Sequence, residues 1–165
     1  MDELKRLYDE DQADRKVKLW EKDNELFLKR DTERLQRVLT LIKQGKIISA
    51  ADYFHAAMIL QHGGEVQHYE TAHEFSKKAA QMGYEPECRE ADPLWLAAAA
   101  KDRALMMQGK SQLYGTQRKK DSNEGRWYVY PVDPTITDEE RARWHVPPLK
   151  ESFKRAEELN RQESK

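Results

Sequence analysis

Two stretches constrain the fold of this chain most: SAADYFHAAMILQHGG at 49–64 and DPLWLAAAAKDRALMMQG at 92–109. Both carry helix punctuation. Ser49 opens a capping box with Asp52, and Asp92 stands as an N-cap with Pro93 at the first helical position. Gly63-Gly64 and Gly109 are the stops. Between these signals both runs are apolar on almost every side, and a helix of that kind is buried. The remaining helices must therefore wrap around two central ones.

The outer helices are legible by their spacing. Residues 2–30 predict one long charged helix, with Leu4, Leu7, Tyr8, Leu19, Trp20, Leu26 and Phe27 recurring and neither Gly nor Pro. Asp31-Thr32 predicts the cap of a second, with Leu35, Val38, Leu39 and Ile42 on one face and Gly45 as its stop. Residues 65–82 predict a helix closing at Gly83, with Val66, Tyr69, Ala72, Ala79 and Ala80 on one side and His73 at the margin of the buried arc. After Gly109 the chain is short-stepped and aromatic, and DSNEG is the turn of a hairpin. TDEE caps a short helix to Trp144, VPPLKESFKRAEEL starts a final helix, and NRQESK is expected to fray. The fold class implied is mainly α: a single compact helical domain with a short C-terminal β-hairpin. Its parts are charged N-terminal helices (1–45), central buried helices (49–109), a loop and hairpin (110–133) and C-terminal helices (137–161).

Charge and composition narrow the function. Twenty-nine basic residues face thirty acidic ones, a formal net charge of −1. A phosphate-backbone binder carries a basic excess or stripe, and the one dense run here is Arg118-Lys119-Lys120, so no nucleic-acid partner is expected. The lone Cys88 excludes an internal disulfide, and its acidic setting YEPECRE does not activate a thiol. The first sixteen residues are charged throughout, and no apolar run approaches the ~20 residues of a membrane span. The expectation is a soluble, cytoplasmic protein with no membrane partner.

The central helices carry polar groups that do not belong in a core. His55 and His62 share a face of the first, with Gln61 beside the second. In the other, Asp102 falls in the row of Trp95, Ala98, Leu105 and Met106, and Arg103 with Leu96, Ala99 and Met107. The wet stripe of that helix is expected at Ala97, Lys101, Ala104 and Gln108. Each buried polar group left unsatisfied costs ~1–3 kcal/mol, so several together indicate a network or a site.

Metal binding is disfavoured by spacing. His55 and His62 are separated by roughly 10.5 Å of helix, whereas one zinc needs an i,i+4 pair. His68 and His73 match no better. No metal and no cofactor are expected; a centre assembled across helices from His62, His73 and Asp102 would make a metal-dependent hydrolase, the second alternative. No nucleophile elbow or phosphate-cradling glycine loop is present, since QHGG closes a helix and presents carbonyls.

What remains is cofactor-independent acid–base chemistry on a small polar or anionic molecule, by a hydrolase, lyase or transferase. His62 or His73 is the base, and the helix C-terminal dipole favours the charged form of His62. Asp102 orients it, and Arg103 clamps an anion. Gln112, Tyr114, Thr116 and Gln117 supply neutral hydrogen bonds, and His55 stands one heptad behind His62. The alternative is a non-catalytic module, using the same pocket for a small ligand or the charged outer helices for a protein partner. In that case Asp102 and Arg103 make structural bonds to Arg15, Asp11 or backbone groups. The pair Met106-Met107 reads as core filling.

The segments DQADR (11–15), AAMILQHG (56–63), AH (72–73), WLAAAAKDRALMMQGKSQLYGTQ (95–117) and VPPL (146–149) occur in an order that resembles a family of bacterial proteins known as a domain of unknown function. The likeness covers most of residues 9–150. It implies a bacterial origin and a shared polar site at Asp11, Gln12, Arg15, Gln61, His62, His73, Asp102, Arg103, Gln112, Gly115, Thr116 and Gln117. Asp11, Arg15 and Gln61 thereby join the ligand-binding set. The resemblance brings no activity with it, and RKKDSNEGR and His55 stand outside the pattern.

Overall fold

The computed structural model describes residues 3–86 and 92–163; Cys88 lies outside them. The order is α1 (Glu3–Lys16), α2 (Leu19–Lys22), α3 (Asn24–Lys43), α4 (Ala50–Leu60), α5 (Val66–Gln81), α6 (Pro93–Met107), β1 (Arg118–Lys120), β2 (Trp127–Val129), α7 (Asp138–Arg143) and α8 (Leu149–Glu163). The chain is mainly α, with one antiparallel ribbon near its C-terminus. Among the described residues no helix is long and apolar enough to cross a membrane.

The two apolar runs form the centre as α4 and α6. The capping box is complete: the Ser49 hydroxyl accepts from the Asp52 backbone N–H, and the Asp52 carboxylate accepts from that of Ser49. Ser49→Ala is expected to cost about 1 kcal/mol in urea unfolding. Phe54, Ala56, Ala57 and Leu60 of α4 are fully buried, as are Ala97 to Ala100 of α6. The closest packing is between α5 and α6, whose alanine faces let the backbones approach. That packing corrects the expected wet stripe: Ala97 and Ala104 are fully buried, because α5 covers them. An alanine row does not declare which side it faces.

The long N-terminal helix is a hairpin of helices. The chain breaks after α1 at Lys18, whose φ of 51° is left-handed, turns through α2 and restarts at the Asp23 N-cap of α3. Asp31 and Thr32 consequently lie inside α3 and cap nothing. Neither Gly nor Pro marks the break; it is made by what α1 and α3 exchange once they lie side by side. Arg30 donates to Asp14, Arg34 to Asp14 and Asp31, and Arg15 to Asp31 and Asp11, at 2.6–3.2 Å. Trp20 and Phe27 meet edge to face across the turn.

A second apolar cluster joins α6 to the C-terminal part through Ala98, Tyr114 and Val146, with Trp95, Ile136 and Trp144 against it. Gly115 is required here. Its φ is 78°, and a Cβ on it would meet Leu149 Cδ1 at 2.6 Å. In the ribbon, Lys119 stands opposite Tyr128, and the Asp121 carboxylate closes the turn by accepting from the Asn123 and Glu124 N–H groups. Residues 160–163 do not fray. Asn160 holds both the N–H and the carbonyl of Trp127, and Glu163 accepts from Lys120 and from the Trp127 indole.

Candidate functional site

Gln61 and His62 leave α4 in its C-terminal turn, where the chain must bend into Gly63-Gly64. They face the last turn of α1, the exposed end of α6 and the loop after it. Together these elements enclose a cleft of about 550 Å³, lined by Arg15, Gln61, His62, Tyr69, Arg103 and Gln117. Asp31, Met106, Met107 and Lys119 complete its wall.

Arg103 is the unusual member. Its Nη1 donates to the backbone carbonyl and to Oε1 of Gln61, at 2.9 and 2.8 Å, and its Nε to Gln117 Oε1 at 3.1 Å. All three acceptors are neutral, and among the described residues Arg103 pairs with no carboxylate. Burial, and Arg15 nearby, pull its guanidinium below the usual range; an arginine nonetheless keeps its charge at neutral pH. Arg15, by contrast, lies within the alternating chain of acids and arginines between α1 and α3, paired with both Asp11 and Asp31.

His62 is neutral. Burial, then Arg15, Arg103 and Arg34, hold its imidazole well below the usual range. This corrects the expectation of a dipole-stabilised imidazolium: a helix terminus contributes ~0.3–1 kcal/mol, and burial beside three guanidinium groups outweighs it. Nδ1 is sealed from solvent without a hydrogen bond, 3.8 Å from Asp11 Oδ1. Burial also pushes the Asp11 carboxyl up, against the opposing pull of Arg15.

A histidine with a depressed folded-state pKa leaves the unfolded chain to take up the proton, so stability is retained above about pH 6.5. Below that it is lost, at up to ~1.4 kcal/mol per pH unit for His62, until the folded-state pKa is reached. Urea unfolding at pH 7.5, 6.5 and 5.5 should show this loss, reduced in His62→Gln. Identical slopes for parent and variant would contradict it.

Several expected site residues lie elsewhere. Asp102, fully buried, is no partner of a histidine: its carboxylate accepts from the backbone N–H groups of Leu113, Tyr114 and Thr116 and from the Thr116 hydroxyl, at 2.7–3.0 Å. Backbone bonds, the structural alternative, are what it makes. Gln112 is equally enclosed, holding the Gln117 and Tyr130 carbonyls and the Gln117 N–H. Tyr114 is buried against Trp144, which pushes its phenol up to about 12. Thr116 donates to Asp102 and accepts from Gln117 Nε2, so it positions the cleft from behind.

His73 does not reach the cleft. It is buried, its Nδ1 donates to the Ala97 carbonyl at 2.8 Å, and its ring lies 5.7 Å from Trp144. Its distance from the margin of the arc reflects the second cluster, which helical periodicity does not reveal. His55 stacks on Tyr8 at 4.6 Å and lines a separate groove with Tyr84. His62, His73 and Asp102 therefore form no common centre, and among the described residues no group of three or more His, Cys, Asp or Glu side chains is placed to hold a metal.

Five wall residues escaped the sequence reading: Asp31, Tyr69, Met106, Met107 and Lys119. The methionines are not core filling, since Met107 is 49% exposed. Lys119 had a usable signal. Alternation along a strand sends it to the opposite side from Arg118 and Lys120, which line other hollows. A larger hollow, about 1020 Å³ between the ribbon and α8, is lined by charges of both signs, and none of the sealed, unbonded polar atoms among the described residues lines it.

No family model matches the chain, and no curated protein or solved structure matches it.

Proposed function

We propose that the cleft binds a small anionic molecule and that His62 acts on it as a general base. One observation carries the proposal: Arg103, mostly buried, is positioned by neutral oxygens alone and is left facing a cleft that already contains Arg15. Two neighbouring cations repel, and an anion between them relieves the repulsion through charge-assisted hydrogen bonds. Function explains this better than stability does.

The catalytic part rests on His62 and Asp11. A neutral imidazole can accept a proton at neutral pH. A ring movement of about 1 Å brings Nδ1 to hydrogen-bond distance of Asp11, which fixes the tautomer and leaves Nε2 as the base. Asp11 thus takes the orienting role first expected of Asp102. The non-catalytic reading draws on the same 3.8 Å separation, because at that distance the pair makes no hydrogen bond.

Thermal-shift screening of small carboxylates and phosphate esters at constant ionic strength tests both parts. Anions that raise Tm are then incubated with the protein and followed by proton NMR. The proposal expects at least one to be converted, and expects His62→Gln to keep the Tm rise while losing the conversion. A rise without conversion leaves a binding module, and no rise with any anion removes the reading.

A further inference from the structure

The charges around the cleft are not evenly matched. Follow the ion pairs outward from the cleft. Asp11 meets Arg15, Arg15 meets Asp31, Asp31 meets Arg34, Arg34 meets Asp14 and Asp14 meets Arg30. Three acids and three arginines alternate, so the chain as a whole is balanced. Arg103 and Lys119 do not belong to it, and neither forms an ion pair among the described residues. The nearby Lys101 is matched by Glu70. The cleft thus has two uncompensated positive charges.

Its donors are also disposed in a particular way. Arg15 uses Nε and Nη2 on Asp11 and Asp31, and Arg103 uses Nε and Nη1 on Gln61 and Gln117. Among the described residues Nη1 of Arg15 and Nη2 of Arg103 engage no acceptor, and neither is a sealed atom. With Lys119, the cleft offers three cationic donors from three different elements, α1, α6 and β1. His62, with its sealed and unbonded Nδ1, forms part of the same wall.

We propose that the ligand is a compact dianion, a phosphate monoester. This rests on the anion-binding reading above and makes it more specific. A carboxylate brings one charge and two coplanar oxygens, which leaves one of the two surplus cations unmatched. A phosphoryl group brings close to two charges at neutral pH and three terminal oxygens, one for each cationic donor. Tyr69, Met106 and Met107 form the less polar wall beside these donors and receive the organic part of the ester. The cleft volume, about 550 Å³, lies within the range of small-ligand sites and exceeds the needs of a bare phosphate.

Isothermal titration calorimetry at pH 7.5 and constant ionic strength, with methyl phosphate, dimethyl phosphate and succinate as probes, tests the proposal. Methyl phosphate is largely dianionic there, its second ionisation lying near pH ~6, whereas dimethyl phosphate has a single charge. Methyl phosphate is expected to bind about tenfold more tightly than dimethyl phosphate, the effect of one further charge-assisted contact. Lys119→Gln, an exposed change that leaves the core intact, should remove most of that difference. Equal affinities for the two esters would overturn the dianion while leaving an anion cleft. Tighter binding of succinate would overturn the phosphate in favour of a dicarboxylate. No saturable heat from any of the three would overturn the dianion and the underlying anion reading together.

Discussion

Asp102→Ala is expected to cost about 3 kcal/mol or more, enough to threaten folding in a chain of ordinary stability. Among the described residues the carboxylate is the acceptor for three backbone N–H groups and one hydroxyl in the loop leaving α6. Alanine strips those donors of their acceptor inside a closed space, at ~1–3 kcal/mol for each one left unsatisfied. Asp102→Asn keeps the shape but turns an amide toward a donor, so it recovers only part of the loss. Burial raises the carboxyl pKa while the four hydrogen bonds oppose the rise. Urea unfolding of the two variants checks the order parent, Asn, Ala. An unchanged midpoint for Asp102→Ala would mean that the loop holds itself.

Arg103→Met is expected to behave in the opposite way: little change in stability and a large change in binding. The guanidinium bonds neutral oxygens at the rim of an open cleft, where water can replace it. Removing a cation with no acidic partner also relieves repulsion from Arg15. These effects oppose each other, and unfolding should move by no more than about 1 kcal/mol. Anion affinity should fall roughly 30-fold or more, the loss of a charge-assisted bond of ~2–3 kcal/mol. Urea unfolding and calorimetry on the same preparation give both values. A variant that is strongly destabilised but still binds anions would assign Arg103 to the scaffold.

The contrast between these adjacent residues shows where the sequence was informative. Helical spacing put both on the inner side of α6, and an inward charge on an apolar helix signals a network or a site. It could not separate the two, because the distinction lies in partners 11 to 42 residues away. The Ser49 box, the glycine stops and the DSNEG turn were legible because each is satisfied within a few residues. The break at Lys18 was not, since its cause is the ion-pair chain between α1 and α3. That same chain brings Arg15 and Asp31 to the cleft. His62 is legible by its setting but its protonation is not: the burial that lowers its pKa, and the three guanidinium groups that add to it, come from other elements. His73 was singled out alongside it, and the packing of Trp144 puts it elsewhere.

An amide NMR titration of the parent protein with sulfate, at fixed ionic strength and pH 7.5, tests most directly whether an anion sits between Arg103 and His62. Saturable shifts confined to Gln61, His62, Arg103, Gln117 and Lys119 are the predicted result. Shifts that do not saturate, or that gather at the hollow between the ribbon and α8, would contradict it.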